Sequence, residues 1–323
     1  MILDTVVRLR IIRAQRSKPA LADHNNASSN KATPERRLLK LEELPNWIDT
    51  NPFILSGYRP ESRSWWKCVA SWAYFHNESA NIWSHLIPAA LLLLGQSIIY
   101  RHVRAKYGDR LSSFDWSIVS LQLLMGFACL LISALYHTLL NHSEHVSHRW
   151  LQMDYLGIIV LILGNFISGL HFGFYCHPFL KYFYWSIITI LGLVTATILL
   201  HPRFRGPEWR MFRLWSFIST GLSAFAPIGH ALLLWGPGHV WGIGVPYYLL
   251  EGVFLLVGCY FWERRVPECL FPGRFDLWGQ SHTIWHVLVA FSVGAHVLGL
   301  LSAADYTYSG VCDSTGTQGL IHF

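Results

Sequence analysis

His282 and His286 stand in the stretch Gln280-Ser-His-Thr-Ile-Trp-His286. On a helix, a spacing of four puts both imidazoles on one face about one turn apart, the separation at which two ligands share one metal ion. The same spacing also serves two interfacial histidines that only hydrogen-bond, so spacing alone leaves both readings open. Further groups able to do chemistry are His137 at the end of Ser133-Ala-Leu-Tyr-His137, Asp154, and the run Glu78-x-x-Asn81-x-x-x-His85. Three neutral imidazoles (His137, His282, His286) leave a fourth tetrahedral position for water, which is the arrangement of a catalytic zinc site. Zinc would lower the pKa of that water toward 7, and Asp154 could accept its proton or orient it. Ser133, one turn from His137, could bond the water or a substrate carbonyl. It could equally bond its own helix backbone.

The elements that must bring these groups together are membrane spans. Of 323 residues, 52% are hydrophobic and only 14% charged, against about 25% charged in a typical globular chain. Twenty of the 44 charged residues precede position 81. So little charge beyond that point cannot cover a core with polar surface, which excludes a two-domain soluble enzyme, a collagen-like chain and a wholly disordered one. Seven apolar stretches are long enough to cross about 30 Å of hydrocarbon at 1.5 Å per residue. They are Ile82 to Tyr100, Asp115 to Leu139, Trp150 to Leu170, Pro178 to Leu200, Met211 to Trp235, Trp241 to Trp262 and Gln280 to Ser302. The expected fold is an all-α polytopic membrane protein.

Lys and Arg in alternate loops set the expected orientation. The N-terminal side of the spans collects 20 of them and the opposite side five, so the positive-inside rule predicts a cytoplasmic N-terminus and an outside C-terminus. This is the reverse of a G-protein-coupled receptor. The second span then ends, and the first, third and seventh begin, near the cytoplasmic face. His137, His282, His286, Asp154, Glu78, Asn81 and His85 therefore share one depth, where polar groups are costly enough to imply function. Residues 1–45 read as a flexible cytoplasmic tail, 46–81 as an interfacial aromatic segment, 82–302 as the membrane domain and 303–323 as a short outside tail. The net charge of +6 is not gathered on one patch, which argues against nucleic acid.

Other polar groups are expected to do less. His142, His145 and His148 fall in a short polar loop facing water, and His230 and His296 read as interhelical hydrogen-bond partners. Pro227 should kink the fifth span. Glu251, within the sixth, has no partner that the sequence identifies. Asn26, Asn77 and Asn141 begin glycosylation sequons on the cytoplasmic side and should stay unmodified. Six cysteines without C-x-x-C spacing read as buried small hydrophobes and not as a disulfide framework.

Four stretches carry a family resemblance: His76-Asn-Glu78-Ser-Ala-Asn81-Ile-Trp-Ser-His85, Ser133-x-x-x-His137, Asp154-Tyr-x-Gly157, and Val266-Pro-Glu-x-x-x-Pro272-Gly-x-Phe-Asp276-x-x-Gly-x-Ser-His282-x-x-x-His286. Together with Ser223-x-x-x-Pro227-x-x-His230, they resemble the progestin and adipoQ receptor family, which includes adiponectin receptors and hemolysin-III-related proteins. The fungal zinc-homeostasis members look most similar. The resemblance covers roughly residues 44 to 302, and departs from the family at Val266-Pro-Glu-Cys269, where the usual fourth residue is Arg. It implies seven helices with a cytoplasmic N-terminus, zinc held by His137, His282 and His286, and a water near Asp154. A wider kinship with alkaline ceramidases implies a sphingolipid amide as substrate class, with ceramide or a fatty acid as lipid partner, and an influence on lipid metabolism or zinc homeostasis. The alternative is a signalling receptor with an extracellular ligand and a purely structural zinc. Plasma membrane and endoplasmic reticulum are both compatible locations.

Overall fold

The computed structural model describes residues 37–48, 50–204 and 206–310; of the expected tails, residues 1–36 and 311–323, with the sequon at Asn26, lie outside them, while 37–45 pack on the bundle through the Leu39–Tyr58 pairing and 303–308 continue the last helix. Among the described residues the fold is all-α, without a strand. A short helix α1 (Trp65–Ala70) precedes α2 (Ser79–Tyr107), α3 (Ser113–Leu139), α4 (Glu144–Gly173), α5 (Pro178–Leu200), α6 (Arg210–Leu222), α7 (Phe225–Gly242), α8 (Val245–Arg264) and α9 (Ser281–Tyr308). Among the described residues, seven helical segments are long and apolar enough to cross a membrane, with α6 and α7 together forming the fifth. Helices α3, α4 and α9 bury half of their apolar windows inside the bundle and form its centre. The others turn large apolar side chains outward, such as Leu94 on α2 and Leu233 on α7, as befits a bundle whose solvent is hydrocarbon.

Local sequence explains the helix ends. Ser112 caps α3 by accepting from the Asp115 amide at 3.0 Å, and α8 starts with Pro246 in its first turn, where a missing N–H costs nothing. Gly244, just before it, has φ of +80°, and a Cβ there would meet the Gly299 carbonyl at 2.3 Å. Only glycine lets α8 enter so close to α9. The fifth span is kinked as expected: α6 ends at Leu222 and α7 begins at Phe225, with Ser223 and Ala224 between them still at helical backbone angles. Pro227 has no N–H to offer the Ser223 carbonyl. A second irregularity at Gly236, φ 75°, carries α7 on to Gly242, so the sixth span begins at Val245 and not at Trp241.

Call the end of the bundle at His137, His282 and His286 the metal end, and the opposite one the far end. Residues 37–78 fold across the metal end. Leu39 pairs with Tyr58, Ser62 and Arg63 amides bond the Asn141 and His142 carbonyls at 2.9 Å, and Asp276 accepts from the Leu55 amide at 2.9 Å. Exposed Trp65, Trp66, Phe75 and Trp278 surround this layer, in the manner of an aromatic belt. At the far end Cys176, in the α4–α5 connection, is disulfide-bonded. Cys68, Cys129, Cys259 and Cys269 are free. The expectation that no cysteine is bridged is therefore corrected at Cys176, whose position outside the apolar runs leaves its thiol accessible to a partner.

Candidate metal centre

Helix α3 delivers His137 at its last full turn, and the first two turns of α9 deliver His282 and His286. One ligand nitrogen from each lies within 4.8 Å of the others. The ring centroids form a near-equilateral triangle with sides of 4.9, 4.7 and 4.7 Å. His137 and His286 are buried and His282 is half-buried. Three neutral nitrogen donors this close could hold a metal ion. The Nε2 atoms of His137 and His282 are 3.2 Å apart, close to the ~3.4 Å between two nitrogens sharing a tetrahedral zinc.

The outer nitrogens decide which lone pairs face inward. His137 Nδ1 donates to Glu78 Oε2 at 2.7 Å, and His286 Nδ1 donates to the Asn81 carbonyl at 3.0 Å. Both rings thus present an unprotonated Nε2, as metal-ligating histidines do. Asn81 also donates to Glu78 at 2.8 Å and accepts from Thr283 at 2.6 Å, joining α2 to α9. His85 stacks on His286 with centroids 3.7 Å apart and planes 4° from parallel. The layer of Glu78, Asn81 and His85 surrounds the imidazoles without belonging to the triad.

His282 is arranged differently. Trp262 Nε1 donates to its Nδ1 at 3.0 Å, which puts the ring proton on Nε2, facing His137. His282 becomes a ligand through Nε2 only when that proton leaves and the indole bond is given up. On α4, Asp154 lies beside Ser133 of α3 and near His137. Ser133 therefore faces Asp154 across the α3–α4 interface.

Three positioning residues escaped the sequence reading. Buried Arg59 donates to the carbonyls of His137 at 2.6 Å and Thr138 at 2.9 Å and to Ser71 at 2.7 Å, a cation at the C-terminal end of the helix bearing His137. Glu268 is fully buried. It accepts from the Ser281 amide at 2.8 Å, from the Ser281 hydroxyl and from Asn51 at 2.9 Å, capping the helix that carries His282. Trp262 is the third. Arg59 and Trp262 carry no spacing signal, and Glu268 was visible only as part of a family motif.

The remaining polar residues sort as follows. His145 and His148 are exposed and His142 half-buried, packed on Trp65. His230 bonds Tyr184 at 2.9 Å and His296 bonds Glu251 at 2.7 Å, both between helices, so Glu251 does have a partner. Asn77 and Asn141 are buried.

A profile described as Haemolysin-III related matches residues 73–297. The chain is 35% identical over 279 residues to the ADIPOR-like receptor IZH2 of Saccharomyces cerevisiae, covering 84% of this chain and 86% of that one. It is 34% identical over 263 residues to the human Progestin and adipoQ receptor family member 3, with 78% and 81% covered. Against the Adiponectin receptor protein of Drosophila melanogaster it is 32% identical over 266 residues, 82% of this chain and 59% of that one. With seven spans, a histidine triad at one end and these relatives, the chain belongs to the haemolysin-III-related family of adiponectin-receptor-like membrane proteins.

Proposed function

We propose that the chain is an intramembrane hydrolase of a lipid amide, with zinc held by His137, His282 and His286 near the cytoplasmic face. The observation that carries this reading is the pair of inward Nε2 lone pairs on His137 and His286, fixed by Glu78 and Asn81, beside an aspartate that is not itself in the triad. Bound zinc would supply a Lewis acid for the substrate carbonyl and a hydroxide near neutral pH. Asp154, beside Ser133, takes the proton that the attacking water loses and returns one to the leaving amine. Glu78 stabilises His137, and Arg59 holds the helix end on which that ring stands. The stacked His85 shields His286 from water. The proposed substrate is a ceramide-like lipid whose amide meets the metal end.

The cytoplasmic orientation of the metal end draws on the 20-to-five excess of Lys and Arg on that side. Oxidised Cys176 at the far end agrees, since disulfides persist outside the reducing cytosol. A plasma-membrane or endoplasmic-reticulum location is compatible with both.

The test is to incubate the purified full-length protein with ceramides and measure the fatty acid released. The wild type should release it and His282→Ala should not; equal release by both refutes hydrolysis at this site. The names of the relatives favour a second reading, a receptor whose zinc only ties α3 to α9. In that case chelation lowers thermal stability in a protein that releases no fatty acid at all.

A further inference from the structure

A second polar network lies deeper in the bundle, where nothing in the hydrolase reading uses it. Glu251 of α8 contacts His296 Nδ1 of α9 through Oε2 at 2.7 Å. Its Oε1 accepts from Asn165 of α4, whose own amide oxygen accepts from Gln122 of α3. On the other side of the ring, His296 Nε2 is 3.0 Å from the Ser168 hydroxyl. His296, Gln122 and Ser168 are all buried. An ionisable pair at this depth is expensive and marks a function by default.

Hydrogen counting gives the pair two states. Ser168 has one hydroxyl hydrogen, and its oxygen lies 2.8 Å from the Gly164 carbonyl as well as 3.0 Å from His296. When that hydrogen goes to Gly164, His296 Nε2 must donate, and one further proton lies between Nδ1 and Glu251. The pair is then neutral overall. When the Nε2 proton leaves, the hydroxyl rotates to donate to Nε2, and the remaining proton stays on Nδ1 toward the carboxylate, so that the pair then carries one negative charge. No heavy atom has to move between the two states, and the Asn165 amide bonds the carboxylate in both.

The surroundings give this site a direction. Toward the metal end, Ala89, Cys129, Leu130, Leu161, Val289 and Val293 form a buried apolar cluster. By sequence position it separates Gln122 from His137 on α3, Asn165 from Asp154 on α4, and His296 from His286 on α9. Toward the far end, Val119 and Leu123 of α3 and Leu300, Ala303 and Ala304 of α9 belong to a second apolar cluster, and α4 carries His171 one turn beyond Ser168, on the same face. His171 is buried, donates from Nε2 to Asp115 at 2.6 Å, and has no protein partner at Nδ1. Asp115 also accepts from Tyr175 at 3.0 Å and Tyr308 at 2.7 Å, at the far end of the bundle.

We propose that Glu251 and His296 form a membrane-buried proton-binding site, separate from the metal centre, that exchanges its proton with the far end through Ser168 and the His171–Asp115 pair. The groups facing it are Gln122 from α3, Asn165 and Ser168 from α4 and Tyr248 from α8, whose ring lies 4.9 Å from that of His296. Of these only Tyr248 titrates, and none carries a fixed charge. The state of the site is therefore set by proton supply from one side of the membrane.

The experiment uses full-length protein with nitrogen-15 histidine, reconstituted in liposomes, with protons as the probe. The nitrogen signal lost in His296→Gln is expected to change from N–H to lone-pair character as pH rises. In Glu251→Gln, which keeps the shape, proton affinity at that nitrogen should fall roughly tenfold or more. His171→Phe should slow its response to a pH jump imposed on the far side. Chelator treatment should leave the transition where it is, whether or not the triad binds zinc. The proposal is overturned if the His296 nitrogen never changes state, if Glu251→Gln titrates as the wild type does, if loading occurs only from the metal side, or if His171→Phe loads at the wild-type rate.

Discussion

Oε2 of Glu78 stands 2.7 Å from Nδ1 of His137, although 58 residues separate them in the chain. The carboxylate fixes the tautomer of that ring and makes its Nε2 a better donor to a metal. Glu78→Gln should weaken metal binding roughly 10–100-fold, the usual range for losing such a partner. Competition with a chelator of known affinity measures the change, and an unaltered affinity would show that Glu78 does not tune His137.

Trp262 acts in the opposite sense. Its indole N–H donates to His282 Nδ1 at 3.0 Å and keeps a proton on the nitrogen that a metal needs. A neutral hydrogen bond contributes about 1 kcal/mol, so Trp262→Phe should tighten metal binding roughly fivefold. The same chelator competition reads it, and weaker binding in the variant would contradict the assignment.

Glu268 should matter for stability. Three donors converge on its buried carboxylate, and each donor left unpaired costs about 1–3 kcal/mol. Glu268→Ala should therefore lower the thermal midpoint markedly and loosen the start of α9. Glu268→Gln, which keeps one acceptor, should fall between the two. A variant as stable as the wild type would mean that α9 is capped some other way.

His76 gives the metal-end layer an acid sensitivity. Burial, aided by the nearby Arg59 charge, lowers its pKa from the ordinary 6.5 to about 3, so the folded state favours the neutral ring. Below pH 6.5 the unfolded chain takes up a proton that the folded chain refuses. Its contribution is thus fully present above 6.5 and is lost as pH falls toward 3, with a slope of at most about 1.4 kcal/mol per pH unit. His76→Asn should remove this part of the acid slope in thermal unfolding between neutral and acidic buffers; an unchanged slope would contradict it.

The seven spans could be read from the chain because hydrocarbon thickness fixes how long an apolar run must be. Their ends could not. Helix α4 begins at Glu144, six residues before the apolar run, and α9 continues past Ser302 to Tyr308, with Asp305 paired to Lys106 at 2.5 Å. Polar residues in the flanking turns are helical because partners outside the hydrocarbon satisfy them, which hydropathy does not register. The triad was legible because chain order alone sets His137, His282 and His286 at one depth. Arg59, Trp262 and the Glu251–His296 pair were not, since each depends on which helix neighbours which, and no spacing encodes that.

The most direct measurement is diffraction from crystals of the full-length protein at the zinc absorption edge. A single anomalous peak should lie about 2.0–2.1 Å from one nitrogen each of His137, His282 and His286, with Trp262 turned away from His282. No peak between those three rings, or a peak held by other side chains, would contradict the zinc site on which the proposed function rests.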